Sequence, residues 1–333
     1  MKKFLGFVGI AWLLLQLSAC LQVDEPGNLV PKTVDEDASL PAIYVNGVFL
    51  HAEAFGPPDS TLVIVLHGGP GSDYRYLLHC KDLADAGYRV VFYDQRGSGL
   101  SQRFDADYYL DKREAALDLM YDDLSAVIAY YRTSADQKVF LIGHSWGAMM
   151  ATAYTGKHPD DIQGLVACEP GGLHWDDVRT YISNEFEFGF WGEQLNDAAY
   201  MDAFISTYAD AHEVADYKLM LMGSENNITG EHNVAPASSW RAGAIINATF
   251  LQIGETYQPD LAEGIEQFHT PVLFFYSSDN MAYPDSWAER ITDVYDTVEV
   301  IKVNGTGHDG IITDAEKWQT VTMPHILSYF QSR

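Results

Sequence analysis

Leu62–Leu66 is a run of apolar residues with no polar interruption, and comparable runs recur at Arg89–Tyr93, Val139–Ile142, Leu165–Cys168, Val272–Tyr276 and Val298–Val303. Such runs fit strands covered on both faces, as in a parallel sheet. Upstream, Ala42–Val45 and Val48–Phe55 flank Asn46-Gly47, a pair that accepts the positive φ angles of a tight hairpin turn. Between the runs the period changes. Leu117, Met120, Leu124, Val127, Ile128 and Tyr131 recur at three- and four-residue spacing, which puts them on one face of a helix. Strands alternating with helices predict an α/β fold, a mostly parallel doubly wound sheet with right-handed crossovers.

The alternation breaks between Gly171 and about Gln267. That stretch carries Trp175, Phe186, Phe188, Phe190, Trp191, Tyr200, Phe204, Tyr208 and Trp240. It reads as a helical cap over residues 171–267, inserted between late strands. The core then comprises residues 41–170 and 268–333.

At the N-terminus, Lys2-Lys3 precede the apolar Phe4 to Leu15, and Leu17-Ser18-Ala19-Cys20 closes the segment. This layout predicts a secretory signal over residues 1–19 rather than a membrane span. Its ending resembles the lipobox of bacterial lipoproteins, which implies lipidation at Cys20 and anchoring in the cell envelope. Leu21 in place of an aspartate points to the outer membrane. Residues 20–40, rich in Asp, Glu, Pro and Gly, would be the lipidated cysteine and its tether. No later stretch is long and apolar enough to span a bilayer.

With 20 Lys+Arg against 47 Asp+Glu, the net charge of −27 disfavours nucleic acid and polyanionic substrates. A short peptide or other small molecule, including a cationic amine, remains compatible. Cys80 and Cys168 fall in a predicted helix and a predicted buried strand, so neither a disulfide nor a zinc site is expected.

Gly143-His144-Ser145-Trp146-Gly147 follows one predicted strand and precedes a helix. A serine on that turn projects from a strained backbone and needs small neighbours to clear the way, the arrangement of a nucleophile elbow. Its hydroxyl needs a base, and the base needs an orienting acid. His308 follows the last strand in Asn304-Gly305-Thr306-Gly307-His308 and is the candidate base. Asp279, after Val272–Tyr276, is the candidate acid. Asp285 and Asp293 are alternatives, and Glu169 at the end of Leu165–Cys168 is the stronger rival. The oxyanion hole would take its N–H groups from Trp146 and from Gly69 (or Gly68) of His67-Gly68-Gly69-Pro70-Gly71. Asp94 and Arg96 read as structural, holding a Gly-rich loop through Asx-type bonds and an internal ion pair.

Three segments, His67–Gly71, Asp94-Gln95-Arg96-Gly97-Ser98-Gly99-Leu100-Ser101 and Gly143–Gly147, resemble the signatures of prolyl iminopeptidases and related α/β-hydrolase aminopeptidases. The resemblance implies the α/β-hydrolase fold and removal of an N-terminal residue, often proline, with no metal or cofactor. Glu225-Asn226-Asn227-Ile228-Thr229-Gly230 is similar to a cap segment that holds the substrate amine in the tricorn-interacting members. Glu225 is therefore implied as an amine ligand. Those members carry a glutamate after the triad aspartate, where this chain has Asn280, and Glu169 could supply the missing charge. Two other readings stand beside the aminopeptidase: a carboxylesterase or lactone or amide hydrolase with an aromatic cap pocket, and a non-catalytic surface-binding lipoprotein.

Overall fold

Asn46 and Gly47 take φ of 47° and 75° and close a hairpin between β1 (Ala42–Val45) and β2 (Val48–Phe55). The computed structural model describes residues 29–186, 211–222, 229–230 and 238–333. β2 pairs antiparallel with β4 (Arg89–Tyr93). From there the sheet runs parallel through β3 (Leu62–Leu66), β5 (Val139–His144), β6 (Gly164–Cys168), β7 (Val272–Ser277) and β8 (Val298–Val303), in the order β1-β2-β4-β3-β5-β6-β7-β8. This is the mostly parallel α/β sheet that the apolar runs predicted. β5 extends two residues beyond its apolar run, because Gly143 pairs with Leu66 and His144 with Cys168.

Each central strand feeds both faces. Ile64, Leu141, Leu165 and Phe274 point into one core, with Leu117, Met120, Leu124 and Val127 of α1 (Ala116–Tyr131) and Ala148 and Ala151 of α2 (Trp146–Lys157). Val65, Ile142, Val166 and Phe275 point into the other, against Leu77, Leu83, Trp318, Ile326 and Tyr329. The two-sided burial explains why these strands read as unbroken apolar runs.

Between β6 and β7 the described elements are α3 (Trp175–Phe186), α4 (Ala211–Met222) and α5 (Ala244–Tyr257). Trp175 lies so close to α5 that a Cβ on Gly254 would come within 1.9 Å of its ring. Among the described residues no helix is long and apolar enough to cross a membrane. Cys80 and Cys168 are both free and buried.

The loop after β4 is held differently from the sequence expectation. Asp94 accepts from the backbone N–H groups of Tyr74 and Leu100 and from Nδ1 of His51, while Arg96 reaches out of the loop to α1. There its Nε and Nη2 donate to the two Asp123 carboxylate oxygens at 2.8 and 2.6 Å, with both side chains buried. Asp123→Ala would strand the buried guanidinium and is expected to lower the unfolding free energy by about 3–5 kcal/mol. Replacing both partners by apolar residues should recover most of that loss. Equilibrium urea denaturation of the two variants checks the difference.

Candidate active site

Ser145 sits one residue beyond the last pair of β5 and begins α2, with φ 54° and ψ −123°. That conformation is costly for a side chain with a Cβ and persists only where the surroundings enforce it. Gly143 and Gly147 supply the enforcement. A Cβ on Gly143 would lie 2.3 Å from the Gly147 carbonyl oxygen, and one on Gly147 would lie 2.2 Å from that of Leu66. The Ser145 N–H donates to the Cys168 carbonyl at 2.9 Å, extending the β5–β6 ladder by one step. The residue remains half-buried at the mouth of a cavity.

The same step on β6 places Glu169 beside it, also at positive φ, 47°. Its N–H donates to Phe275 O, and its carboxylate is inaccessible to solvent. Oε1 accepts from the backbone N–H and the hydroxyl of Ser277, both at 2.7 Å. Oε2 accepts from Asn280 Nδ2 at 3.1 Å and from His308 Nδ1 at 2.5 Å. Burial alone would raise this carboxyl. The bond and charge of His308, with the two Ser277 bonds, outweigh it and hold the group below the usual carboxylate range.

The carboxylate bonded to His308 Nδ1 is thus Glu169, where the sequence reading places Asp279. The loop after β7 explains the exchange. Ser278 and Asp279 donate their N–H groups to Val303 and Thr306, which zips the loop to the end of β8. In that register Ser277 and Asn280 turn inward onto Glu169, and among the described residues half-buried Asp279 accepts a side-chain bond only from the neighbouring Ser278 hydroxyl. The reading of Glu169 as a substrate-amine ligand is corrected too, because its bonds are all spent within the protein. Asp285 bonds Tyr276 and Lys302 on the outer surface.

Asn280, which departs from the family pattern, has a structural task here. Its Nδ2 donates to Glu169 and its Oδ1 accepts from the Ala282 N–H. Sequence reasoning missed this role because the bond joins residues 280 and 169 across two strands.

On the other side of Ser145, the Gly68 N–H donates to Tyr76 Oη at 2.8 Å, which removes it from the oxyanion position. The Gly69 N–H and that of Trp146, at the first turn of α2 where helix N–H groups lack intrahelical acceptors, have no backbone acceptor among the described residues. A short chain of bonds links this loop to His308. Nε2 of His144 lies 3.0 Å from the His308 carbonyl oxygen, which can only accept, so Nε2 carries the proton and Nδ1 accepts from Tyr76 at 2.8 Å. Neither the Tyr76 hydroxyl nor His144 could be singled out from the sequence.

The cavity in front of Ser145 measures about 80 Å³. Gly69, Pro70, Trp146, Met149, Trp175, Val178, Tyr181, Ile182, Phe250 and Leu251 line it, and none of its described lining residues is charged. Glu225 and Cys20 lie outside the described residues. His144, His308 and Asp309 bring ligand-type atoms within 4.8 Å of one another, but both His144 nitrogens are already engaged, which does not suit a metal centre.

Burial, with the nearby His308 second, depresses His144 to about 4. The unfolded chain takes up a proton there near pH 6.5 that the native protein refuses until near 4. Stability from this group is therefore lost as pH falls through that window, by about 3 kcal/mol in all. Asp73 acts with the opposite sign. Burial and the nearby Asp94 raise it to about 6, so its contribution is lost as pH rises from about 4 to 6. Melting curves between pH 4.5 and 7 should show His144→Gln losing less stability on acidification than the wild type, and Asp73→Asn losing more.

Comparison with known proteins identifies the family. A family model described as serine aminopeptidase, S33, matches residues 57–308. Epoxide hydrolase B of Mycobacterium tuberculosis is 38% identical over 122 residues, covering 36% of this chain and 32% of that protein. Proline iminopeptidase of Thermoplasma volcanium is 32% identical over 137 residues, covering 39% and 41%. The chain thus spans about a third to two-fifths of the length of these curated relatives. The crystal structure of VinJ superposes with a TM-score of 0.60 at 18% identity, covering 86% of this chain and 98% of VinJ, a likeness of fold. With three-quarters of its length matched by the family model, the chain belongs to the serine aminopeptidase, S33, family of α/β hydrolases.

Proposed function

We propose that this chain is a serine hydrolase that works through an acyl-enzyme, with Ser145 as nucleophile, His308 as general base and then acid, and Glu169 as the group that orients it. The observation that carries this reading is the His308 imidazole held by a fully buried carboxylate beside a serine on a strained strand-to-helix turn. His308 takes the Ser145 proton as the oxygen attacks a carbonyl carbon. The Gly69 and Trp146 N–H groups stabilise the oxyanion. His308 then protonates the departing group, and a water molecule repeats the sequence on the acyl-serine. Glu169 fixes the tautomer with the proton on Nδ1 and stabilises the imidazolium.

The preferred substrate is a short peptide whose first residue is small and apolar, proline among them. The family match and the size of the cavity support it. An esterase reading is kept because the described lining of the cavity offers no carboxylate for an ammonium. Epoxide opening fits this elbow poorly: a serine would form an ether, which water cannot hydrolyse, whereas an acyl-serine is readily cleared. Anchoring to the bacterial envelope through Cys20, with export to the outer membrane, is proposed on the signal sequence alone.

Ser145→Ala should lower turnover to a background of about 10⁻³ or less. Glu169→Gln should lower kcat by about 10³–10⁴, because the amide favours the wrong tautomer of His308. Asp279→Asn should stay close to wild type. The reverse ranking would restore Asp279 as the orienting acid. Proline-naphthylamide, its N-acetylated form and p-nitrophenyl butyrate then separate the substrate classes. Cleavage of the free-amine amide alone is the aminopeptidase result, and turnover of the ester with both amides intact is the esterase result.

A further inference from the structure

Three bonds to described residues hold His308. Its N–H donates to Thr229 O at 2.8 Å, its Nδ1 to Glu169, and its carbonyl accepts from His144 Nε2. The Glu169 bond belongs to the mechanism above. The His144 bond does not, and it continues in the other direction: His144 Nδ1 accepts from Tyr76 Oη, and Tyr76 Oη accepts from the Gly68 N–H. Every proton in this chain is assigned by its ends, since a carbonyl only accepts and a backbone N–H only donates. Within the acyl-transfer reading, we infer that His144 is a positioning residue that holds the oxyanion loop and the His308 loop in one register.

The argument rests on what the two ends of one imidazole touch. A histidine kept merely to fill a core would find any carbonyl. His144 bridges the two loops whose separation fixes the reaction geometry, and it does so from the residue next to Ser145. Its ring packs 4.5 Å from that of His308 and 5.4 Å from that of Tyr76. The groups facing it are Tyr76, His308 and Asp309, whose Oδ1 lies 3.9 Å from Nε2. Burial keeps the imidazole neutral, so it retains one donor and one acceptor at the pH of the reaction.

The Gly68 end has an equally direct consequence. Spending the Gly68 N–H on Tyr76 fixes the His67–Gly68 peptide plane, one residue ahead of the Gly69 N–H. A Cβ on Gly68 would lie 3.1 Å from that of Ser145, so this peptide also sits against the nucleophile. Oxyanion donors act only within a few tenths of an ångström of their place. A slack Tyr76–His144–His308 chain would therefore let the Gly69 N–H and the His308 ring drift independently.

Three variants of the full chain separate the links. In His144→Asn the side-chain oxygen can still accept from Tyr76, but the amide is too short for the His308 carbonyl. In His144→Gln the amide N–H can reach that carbonyl. Tyr76→Phe keeps the ring and removes the hydroxyl. Among proteins with intact melting transitions, the Asn variant should lose about 10²-fold in kcat on p-nitrophenyl butyrate with KM nearly unchanged. The Gln variant should recover about tenfold of that loss, and Tyr76→Phe should lose about tenfold. The low-field proton resonance of the His308 Nδ1–H···Glu169 bond should shift in the Asn variant and stay in place in Asp279→Asn. Phosphonylation of Ser145 by a p-nitrophenyl alkylphosphonate tests the nucleophile separately. A wild type that resists labelling, with its resonance still responding to His144→Asn, would sink the Ser145 reading and leave the coupling standing. Asn and Gln variants with wild-type kcat, or equal losses in both with an unmoved resonance, would overturn the coupling.

Discussion

A carboxylate with no solvent contact must find all its hydrogen bonds inside the protein, and Glu169 finds them on three residues. These three partners follow only two strands: Ser277 ends β7, Asn280 lies in the loop after it, and His308 lies beyond β8. One oxygen is filled by a backbone N–H and a hydroxyl, the other by an amide and an imidazole. An unpaired charge in that position would cost several kcal/mol. The loops after β7 and β8 are consequently bound to the end of β6, and β6 is bound to Ser145 through the Cys168 carbonyl. The position of His308 relative to Ser145 follows from this one buried group more than from any other.

The opposite wall is built with a similar device. Asp73 accepts from Ser239 Oγ and from the N–H groups of Trp240 and Arg241, and its other oxygen accepts from the Arg75 N–H. Asn247 donates to the Pro70 carbonyl, and Gly71 accepts from the Gly243 N–H at 2.6 Å. A Cβ on Gly71 would meet the Gly243 carbonyl at 2.5 Å, so the two backbones touch without side chains between them. The oxyanion loop is thus clamped to the entry of α5, the helix that brings Phe250 and Leu251 to the cavity. Arg241 adds a second lock: its Nε and that of Arg103 both donate to Asp216 of α4, at 2.7 and 3.0 Å, in a buried cluster. The loop after β3 thus shares bonds with the chain between β6 and β7 on this side of Ser145.

What the sequence disclosed depended on how local the determining interaction was. The strands were legible because burial on two faces leaves unbroken apolar runs. Ser145 was legible because a strained turn needs glycines at fixed offsets, and Gly143 and Gly147 stand there. The acid was not settled, since two carboxylates end neighbouring strands and the choice between them is made by the pairing of residues 277–280 against the end of β8. Glu169 carried a hint even so: a glutamate directly after Leu165–Cys168, in a strand with no exposed face, has to be met by partners. Tyr76, Asn280 and His144 gave no comparable hint. Each matters through a contact about 70 or more residues away in sequence.

Two residues with side chains take positive φ at adjacent positions along the sheet edge, Ser145 at 54° and Glu169 at 47°. Their strain has a common origin. β5 and β6 remain paired through His144 and Cys168, and the next residue of each chain must leave the sheet at once, one into α2 and the other toward α3. A relaxed extended residue at either place would continue the strand and carry its side chain past the site. The Ser145 N–H still reaches Cys168 O and the Glu169 N–H still reaches Phe275 O, so the ladder bonds are kept while the side chains are thrown forward. Strain at both positions is therefore the geometric condition for throwing a hydroxyl and a carboxylate forward from neighbouring strands at the same edge of the sheet.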